Sequence, residues 1–124
     1  MWEDQGLPFK KTDLIDYLWC ISKYPCLPED LTNFPTVFGS ETYTGYSDHT
    51  IGIESAIIAI GRGAKIIEKH FTLDKNFDGP DHKCSLNPEE LKKMVSSIRN
   101  IETSLMGNGM KEPTKSEKNN KETH

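Results

Sequence analysis

The chain has 124 residues, with 15 lysines and arginines against 19 aspartates and glutamates, and a formal net charge of −4 at pH 7. This length accommodates at most one small domain. The acidic balance argues against nucleic acid as the main partner, because a nucleic-acid-binding protein needs a basic face. The longest apolar stretch, 51–60, is interrupted by Glu54 and is too short to span a bilayer, so we expect no membrane partner.

The cysteines and the first residues indicate a cytoplasmic protein. Cys20, Cys26 and Cys84 are odd in number and lack the spacing of a CxxC pair, a pattern typical of reduced thiols. The beginning of the chain has neither the basic region nor the apolar region of a signal peptide. We therefore expect the chain in the cytoplasm.

The first half of the chain predicts two strands separated by a loop. Residues 1–13 are polar and irregular, and the continuous apolar run that follows predicts a buried strand near 17–22. The proline-rich segment 26–40 predicts a loop, with one helical turn near 28–31. A segment rich in β-forming residues then predicts the second strand near 42–47.

The second half predicts a crossover helix, a third strand and a long amphipathic helix. Apolar residues at helical spacing predict a helix over 53–61, and the run after it predicts a strand near 65–71. Asn87 as N-cap, with Pro88 and two acidic residues directly after it, predicts a helix over 88–106.

The segment 111–124 contains no aliphatic or aromatic residue, and it predicts an extended or disordered polar tail. The three strands before it are expected to be parallel and in sequential order. With two helices they cannot cover both faces of a sheet or close a barrel, which needs about eight strands. The sequence therefore predicts an α/β fold that is part of a larger sheet. Alone, such a sheet exposes edges and apolar surface, so we expect the chain to be marginally stable or to aggregate.

Two histidines, His49 and His70, lie in polar clusters at the ends of the second and third predicted strands. A strand–helix–strand unit places parallel strand ends on one side of the sheet, so both imidazoles should open onto one face. Two neutral imidazoles on adjacent strand ends can bind a divalent metal. Lys69, which alternates with His70, should face the outer layer. Its replacement should matter much less than the replacement of either histidine.

Several ordered motifs resemble the sialic acid synthase family. They are the runs 46–50, 67–74 and 79–82, the segment 85–91 with its continuation to Glu102, and the earlier Tyr24-Pro25 with Glu29-Asp30. The match runs from about Leu18 to Glu117. Members of that family condense phosphoenolpyruvate with N-acetylmannosamine or a related N-acylated sugar to a nine-carbon 2-keto acid.

The resemblance implies that the α/β fold is a partial (β/α)8 TIM barrel, with the last three strands and their helices in residues 1–110. Full-length members of the family are homodimers, in which a small antifreeze-like domain follows the barrel and reaches into the partner subunit's active site. The segment 111–124 resembles the opening of the linker between the two domains.

The resemblance also assigns roles to individual residues. His49 and His70 match the two metal ligands of the family and are thereby the implied catalytic residues. Two imidazoles with water suit Mn²⁺, Mg²⁺ or Co²⁺ alike. The bound ion would polarise the aldehyde oxygen of the sugar.

Four further residues match substrate-binding positions of the family. Tyr24 and Asp81 match positions that contact the sugar, and Ser47 matches one that contacts the phosphate of phosphoenolpyruvate. Ser22 stands where some members have asparagine, and it too would contact the phosphate. Without the resemblance, we would interpret Asp81 as a turn residue and Tyr24 as a side chain that covers the barrel rim.

Other polar residues in these motifs have structural interpretations. We expect Asp48 to orient His49 or to cap the following turn, and His82 to be structural or exposed.

The glutamate and the lysines that the family places on earlier strands have no counterpart in this chain. Phosphoenolpyruvate carries about three negative charges near neutral pH and needs several donors to orient it. The chain alone should therefore not catalyse the condensation. One alternative is a non-catalytic remnant that acts as an interaction module through its open sheet edges. Another metal-dependent TIM-barrel aldolase is a third hypothesis, which the Gly-Pro-Asp-His run disfavours.

Overall fold

A small parallel sheet with helices following its strands makes up the computed structural model, which describes residues 14–39 and 42–123. In chain order the elements are β1 (Leu18–Cys20), a 3₁₀ turn (Pro28–Asp30), β2 (Gly45–Asp48), α1 (Glu54–Gly61), β3 (Ile66–Lys69), α2 (Pro88–Ser104) and α3 (Lys115–Thr123). The irregular segment predicted for 1–13 lies outside the described residues. No helix in the described part of the chain has both the length and the apolar character needed to cross a membrane.

The strand order is β1-β2-β3, and both neighbouring pairs are parallel. Tyr46 in the middle of the sheet lies opposite Trp19 on one side and Ile67 on the other. The predicted order and direction of the strands are confirmed. All three strands are shorter than predicted, and β2 begins three residues later than expected. Beyond the strands, isolated bridges pair Cys26 with Thr50 and Phe71 with Leu86.

Two apolar clusters form the core. The first consists of Phe38, Tyr46, Ala59 and Ala64. The second consists of Ala56, Leu86 and Met94, and it joins α1 to α2. Ala56 and Ala59 are completely buried, and their small side chains let α1 lie close against the sheet. The helices therefore cover the face of the sheet to which Tyr46 points, since its ring belongs to the first cluster.

The start of α2 rests on the predicted cap. Asn87 accepts a hydrogen bond on its side-chain oxygen from the backbone N–H of Glu90 at 2.9 Å, and the Asn87 N–H donates to Glu90 Oε1 at 3.1 Å. Pro88 occupies the first turn of α2. These contacts satisfy backbone donors that a helix start leaves unpaired. At the end of α1, Gly63 has a φ of +98°, the left-handed conformation that glycine adopts without strain.

The prediction of an extended or disordered tail is wrong, because Lys115–Thr123 form the helix α3. The Glu117 N–H donates to Thr114 Oγ1 at 3.1 Å, and the Thr114 N–H donates to Glu117 Oε1 at 3.2 Å. Lys111 Nζ also contacts Glu117 Oε1 at 2.9 Å, which lowers the pKa of that carboxyl. A reciprocal cap can start a helix without any apolar residue, since helical backbone bonds are internal to the segment.

Candidate active site

Three aromatic rings meet where the parallel strands end. His49 directly follows β2, His70 directly follows β3, and Tyr24 lies four residues after β1. The ring centroids of His49 and His70 are 5.5 Å apart. Tyr24 stacks on His70 at 4.4 Å and meets His49 edge-on at 5.5 Å. We call these three side chains the ring cluster.

Backbone hydrogen bonds fix both histidines of the ring cluster. The His49 carbonyl accepts from the Cys26 N–H at 2.8 Å, and the His70 carbonyl accepts from the Leu86 N–H at 2.9 Å. Asp48 and Lys69 are register partners, so the residues after them emerge side by side. The convergence of the two imidazoles is thus a consequence of strand register and of the loops that continue the ladder.

The loop after β3 closes over one side of the ring cluster. Asp81 Oδ2 lies 3.9 Å from His70 Nδ1, and this carboxylate is more than half exposed. The backbone oxygen of Asp81 accepts from the Tyr24 hydroxyl at 3.2 Å and from Ser85 Oγ at 2.5 Å. Burial raises the pKa of Tyr24, so its hydroxyl is a neutral hydrogen-bonding group at pH 7. The predicted residues Tyr24, His49, His70 and Asp81 are therefore brought together.

Ser47 lies on the histidine-bearing face of β2, two residues before His49. It is buried, and its Oγ donates to Glu68 Oε1 at 2.5 Å. Cys20 is the register partner of Ser47 on β1. Its sulfur is 3.7 Å from His49 Nε2 and 3.8 Å from Nδ1, and burial raises the pKa of the thiol. The face thus carries a thiol next to the His49 imidazole and a hydroxyl bonded to the Glu68 carboxylate.

The donor set at the ring cluster suits a divalent metal that also binds water or substrate. Imidazole nitrogen is a common ligand for such ions, and a catalytic site keeps positions open for exchange. Within residues 14–39 and 42–123, no three or more His, Cys, Asp or Glu side chains are grouped as a metal site. The ring cluster brings the His49 and His70 imidazoles together, with the Asp81 carboxylate near the second of them.

A sequence model of the NeuB family matches residues 9–111. The chain belongs to this family. The resemblance to sialic acid synthases that the motifs indicated is thereby confirmed.

Several relatives of this NeuB-family chain are named as synthases of legionaminic acid, N-acetylneuraminate 9-phosphate or pseudaminic acid. The N,N′-diacetyllegionaminic acid synthase of Legionella pneumophila is 43% identical over 120 residues, which cover 92% of this chain and 33% of that enzyme. The N-acetylneuraminate-9-phosphate synthase of Homo sapiens is 40% identical over 94 residues, which cover 72% of this chain and 26% of that enzyme. The chain therefore spans about a third of the length of the curated relatives it matches.

A solved structure shares the fold of the NeuB-family chain. The crystal structure of the N-acetylneuraminic acid synthetase from Leptospira borgpetersenii, in complex with citrate, matches with a TM-score of 0.62 and 36% identity. The match covers 84% of this chain and 37% of that one. The α/β fold of this chain, with its three-stranded parallel sheet, is similar to the matched part of that structure.

Ser22 differs from the other predicted substrate-binding residues of the NeuB-family chain. It is exposed and lies two residues beyond β1, in the segment that leads to Tyr24. Its position is compatible with a contact to a bound ligand, but the contacts of the ring cluster are built from Tyr24, His49, His70 and Asp81.

Lys69 faces the helix side of the sheet, as predicted, but it is not a dispensable outer residue. Its Nζ lies 3.0 Å from Asp48 Oδ2, and the two side chains are only 4% and 0% exposed. Asp48 Oδ1 accepts from the Thr50 N–H at 2.8 Å, so Asp48 caps the turn after β2 as expected. Losing Lys69 would leave a buried carboxylate without its counter-charge, which is costly. Lys69 therefore matters for stability, whereas its smaller effect on condensation than that of either histidine stays a prediction.

Sequence patterns did not indicate a site role for three residues that contact or flank the predicted site residues of the NeuB-family chain. Cys20 and Glu68 flank Ser47 in the sheet register, and Ser85 bonds the backbone of Asp81. Register alone would have found the first two, because partners of an inward-facing residue also face inward. His82, expected to be structural or exposed, is half-buried and lies 2.8 Å from Oγ1 of the buried Thr72.

Proposed function

We propose that this chain forms the last three strands, with their helices, of the (β/α)8 barrel of a sialic-acid-type synthase. The complete enzyme would condense phosphoenolpyruvate with N-acetylmannosamine or a related N-acylated hexosamine to a nine-carbon 2-keto acid. The observation that carries the proposal is the ring cluster, in which His49 and His70 from adjacent parallel strands converge with centroids 5.5 Å apart. The synthase relatives support the same reading.

His49 and His70 would bind the divalent ion, with Mn²⁺, Mg²⁺ and Co²⁺ as candidates. When bound, such an ion polarises the carbonyl oxygen of an aldehyde and so makes its carbon more electrophilic. Tyr24 would cover one side of the two imidazoles, since its ring stacks on His70 and its hydroxyl donates to the Asp81 backbone oxygen.

Asp81 and Ser47 would bind the two substrates at different places. The exposed Asp81 carboxylate can accept hydrogen bonds from sugar hydroxyls at the rim. The Ser47 hydroxyl has one proton, which it now donates to Glu68. A phosphate oxygen placed there would replace Glu68 as the acceptor, and Ser22 would add a second hydroxyl at the edge.

The cations for phosphoenolpyruvate would come from elsewhere in the complete enzyme. Lys69 is buried against Asp48 and donates to the Thr50 carbonyl at 2.7 Å, so its charge is already compensated. We therefore propose that the chain alone is inactive. For the complete enzyme we propose a cytoplasmic homodimer, with residues 1–110 in the barrel and 111–124 in a polar linker that includes α3.

A chimera tests the proposal. Residues 14–111 would replace the matching segment of the N,N′-diacetyllegionaminic acid synthase of Legionella pneumophila, which is 43% identical to this chain. We expect metal-dependent condensation that His49→Ala or His70→Ala abolishes. His82→Ala is the matched control, since it removes a histidine outside the ring cluster and should retain most activity.

Circular dichroism would establish that each chimera is folded before activity is compared. A folded chimera that is inactive with both histidines intact would overturn the proposal. So would one that condenses the substrates equally well after His49→Ala.

A further inference from the structure

We propose that the buried Asp48–Lys69 ion pair is a positioning device for the two histidines. The inference rests on the proposed function of His49 and His70. Each member of the pair immediately precedes one histidine in the chain, and the two are register partners across β2 and β3. Because each charged residue is the chain neighbour of one histidine, a displacement of the ion pair would move both imidazoles.

The pair lies on the side of the sheet opposite the histidines. Asp48 accepts a hydrogen bond from the Tyr46 hydroxyl at 3.1 Å, and the Tyr46 ring belongs to the core beneath α1. Successive side chains of a strand point to opposite faces, so His49 points the other way. Lys69 and Asp48 are thus unable to contact substrate directly, and any effect on the reaction must act through geometry.

The hydrogen bonds of the pair enclose the backbone on both sides of His49. Asp48 Oδ1 accepts from both the N–H and Oγ1 of Thr50, at 2.8 and 2.6 Å. Lys69 Nζ donates to the Thr50 carbonyl at 2.7 Å. His49 therefore sits between two residues whose polar groups are tied to each other and to β3. This arrangement restricts the direction in which its imidazole leaves the strand.

The same connections extend to Tyr24, the third member of the ring cluster. Thr50 forms an isolated parallel bridge with Cys26, and the Cys26 N–H donates to the His49 carbonyl at 2.8 Å. Tyr24 is two residues before Cys26, so its ring is placed by the segment that Thr50 anchors. One buried network thus fixes the backbone that carries all three rings.

Stability alone does not explain a buried ion pair at this place. Desolvation of two charges offsets much of their attraction, and well-packed apolar replacements are often equally stable. Asp48 Oδ2 makes the ionic contact with Lys69 but has no hydrogen bond of its own. The two residues also make directional hydrogen bonds to Thr50, which an apolar pair would not supply.

The test compares single and double replacements in the full 124-residue chain, at a concentration where it is monomeric. Asp48→Asn and Lys69→Met each leave the partner unmatched, whereas the double variant removes both charges. Lys65→Met is the matched control, because Lys65 is an exposed lysine directly before β3. The readouts are the denaturation midpoint, NMR contacts among the ring protons of Tyr24, His49 and His70, and Mn²⁺ affinity.

We expect both single variants to lower the denaturation midpoint and the double variant to recover most of it. The double variant should nonetheless lose the contacts between the rings and bind Mn²⁺ at least about tenfold more weakly, as other outer-shell replacements do. Lys65→Met should match the parent in all three readouts. A double variant that keeps the parent's ring contacts and affinity would show that the pair is only structural.

Asp48→Glu provides a second variant, should the double variant not fold. It keeps the charge but moves the carboxylate by one methylene, so the fold should persist while the ring contacts change. Unchanged ring contacts in Asp48→Glu would also overturn the inference. A parent chain that binds no Mn²⁺ would count against the proposed function, whereas the ring contacts would still decide the role of the ion pair.

Discussion

Tyr24 stacks on His70 with ring centroids 4.4 Å apart and an interplanar angle of 27°. These residues are far apart in the chain, and neither belongs to a strand. Their contact exists because Tyr24 follows β1 and His70 follows β3, on either side of the central strand β2. The stack therefore crosses the line of β2 and closes the ring cluster beside His49, the residue that follows this strand.

The hydroxyl and the ring of Tyr24 should have separable effects. Tyr24→Phe removes the hydrogen bonds to the Asp81 carbonyl and Ser85 Oγ but keeps the stack on His70, so it should cost up to about 1 kcal/mol of unfolding free energy. Tyr24→Ala removes both. Hydrogen exchange of the amides near Ser85 should accelerate in both variants, while the His70 ring resonances should move markedly only in Tyr24→Ala. Equal ring shifts in the two variants would contradict this separation.

Gly45 allows β2 and β3 to approach closely. A Cβ at this position would meet the backbone oxygen of Ile66 and would lie 2.7 Å from the Ile66 Cβ. We expect Gly45→Ala to lower the unfolding free energy by about 1–3 kcal/mol, because neither strand can yield without losing ladder bonds. Gly61→Ala is the control: a Cβ there meets nothing within 4 Å, and alanine favours helix. Chemical denaturation should show the control unchanged or more stable.

The sequence predicted the strand order and the two main helices because these depend on local patterns. The cap at Asn87 and the apolar spacing of α1 and α2 are visible in the chain itself. The helix α3 was missed because composition was given more weight than the capping pair Thr114 and Glu117. The exact strand ends were also missed, since loop residues such as Cys26 and Leu86 continue the ladder.

The candidate site was partly predictable for a related reason. His49 and His70 are marked by their positions at strand ends, and the family motifs indicated Tyr24, Ser47 and Asp81. The pairing of Asp48 with Lys69 was not visible, because it depends on the register between two strands. Alternation correctly gave the direction of Lys69 but not its burial. The burial of Lys69 depends on its packing against Asp48 and Thr50, which is a tertiary property.

Acid should weaken the start of α2 through Glu90. The ammonium of Lys75, 2.5 Å away, and the backbone N–H of Asn87 hold the pKa of Glu90 below its ordinary value of 4.5. A lowered folded-state pKa means that the stabilisation is present above the unfolded-state pKa and is lost as the pH falls through the folded-state value. Glu90→Gln should therefore lower the stability at pH 7 and flatten its decline below about pH 4.5.

Glu89→Gln is the control for this prediction, because Glu89 is an exposed acid in the same helical turn. It removes the same charge near the helix start without touching Lys75 or Asn87. Urea midpoints measured from pH 7 to pH 3 should separate the two variants. Identical pH profiles for Glu89→Gln and Glu90→Gln would show that only the general charge at the helix start matters.

The uncovered face of the sheet should make the chain self-associate. Among the described elements, the helices pack on the Tyr46 side, and Ile66 on the other side is 36% exposed. Apolar surface and unpaired strand edges favour association between copies. Ile66→Lys should therefore reduce association, whereas Leu105→Lys, at an exposed position just after α2, should reduce it less.

Sedimentation velocity over a range of concentrations would test this, with larger species expected at higher concentration. Thermal unfolding followed by circular dichroism should be broad for the parent chain, since a third of a barrel buries little apolar surface per residue. A monomer that unfolds in one sharp transition would show that the two core clusters suffice to stabilise the chain. The face opposite Tyr46 would then be stable in contact with water and would need no covering partner.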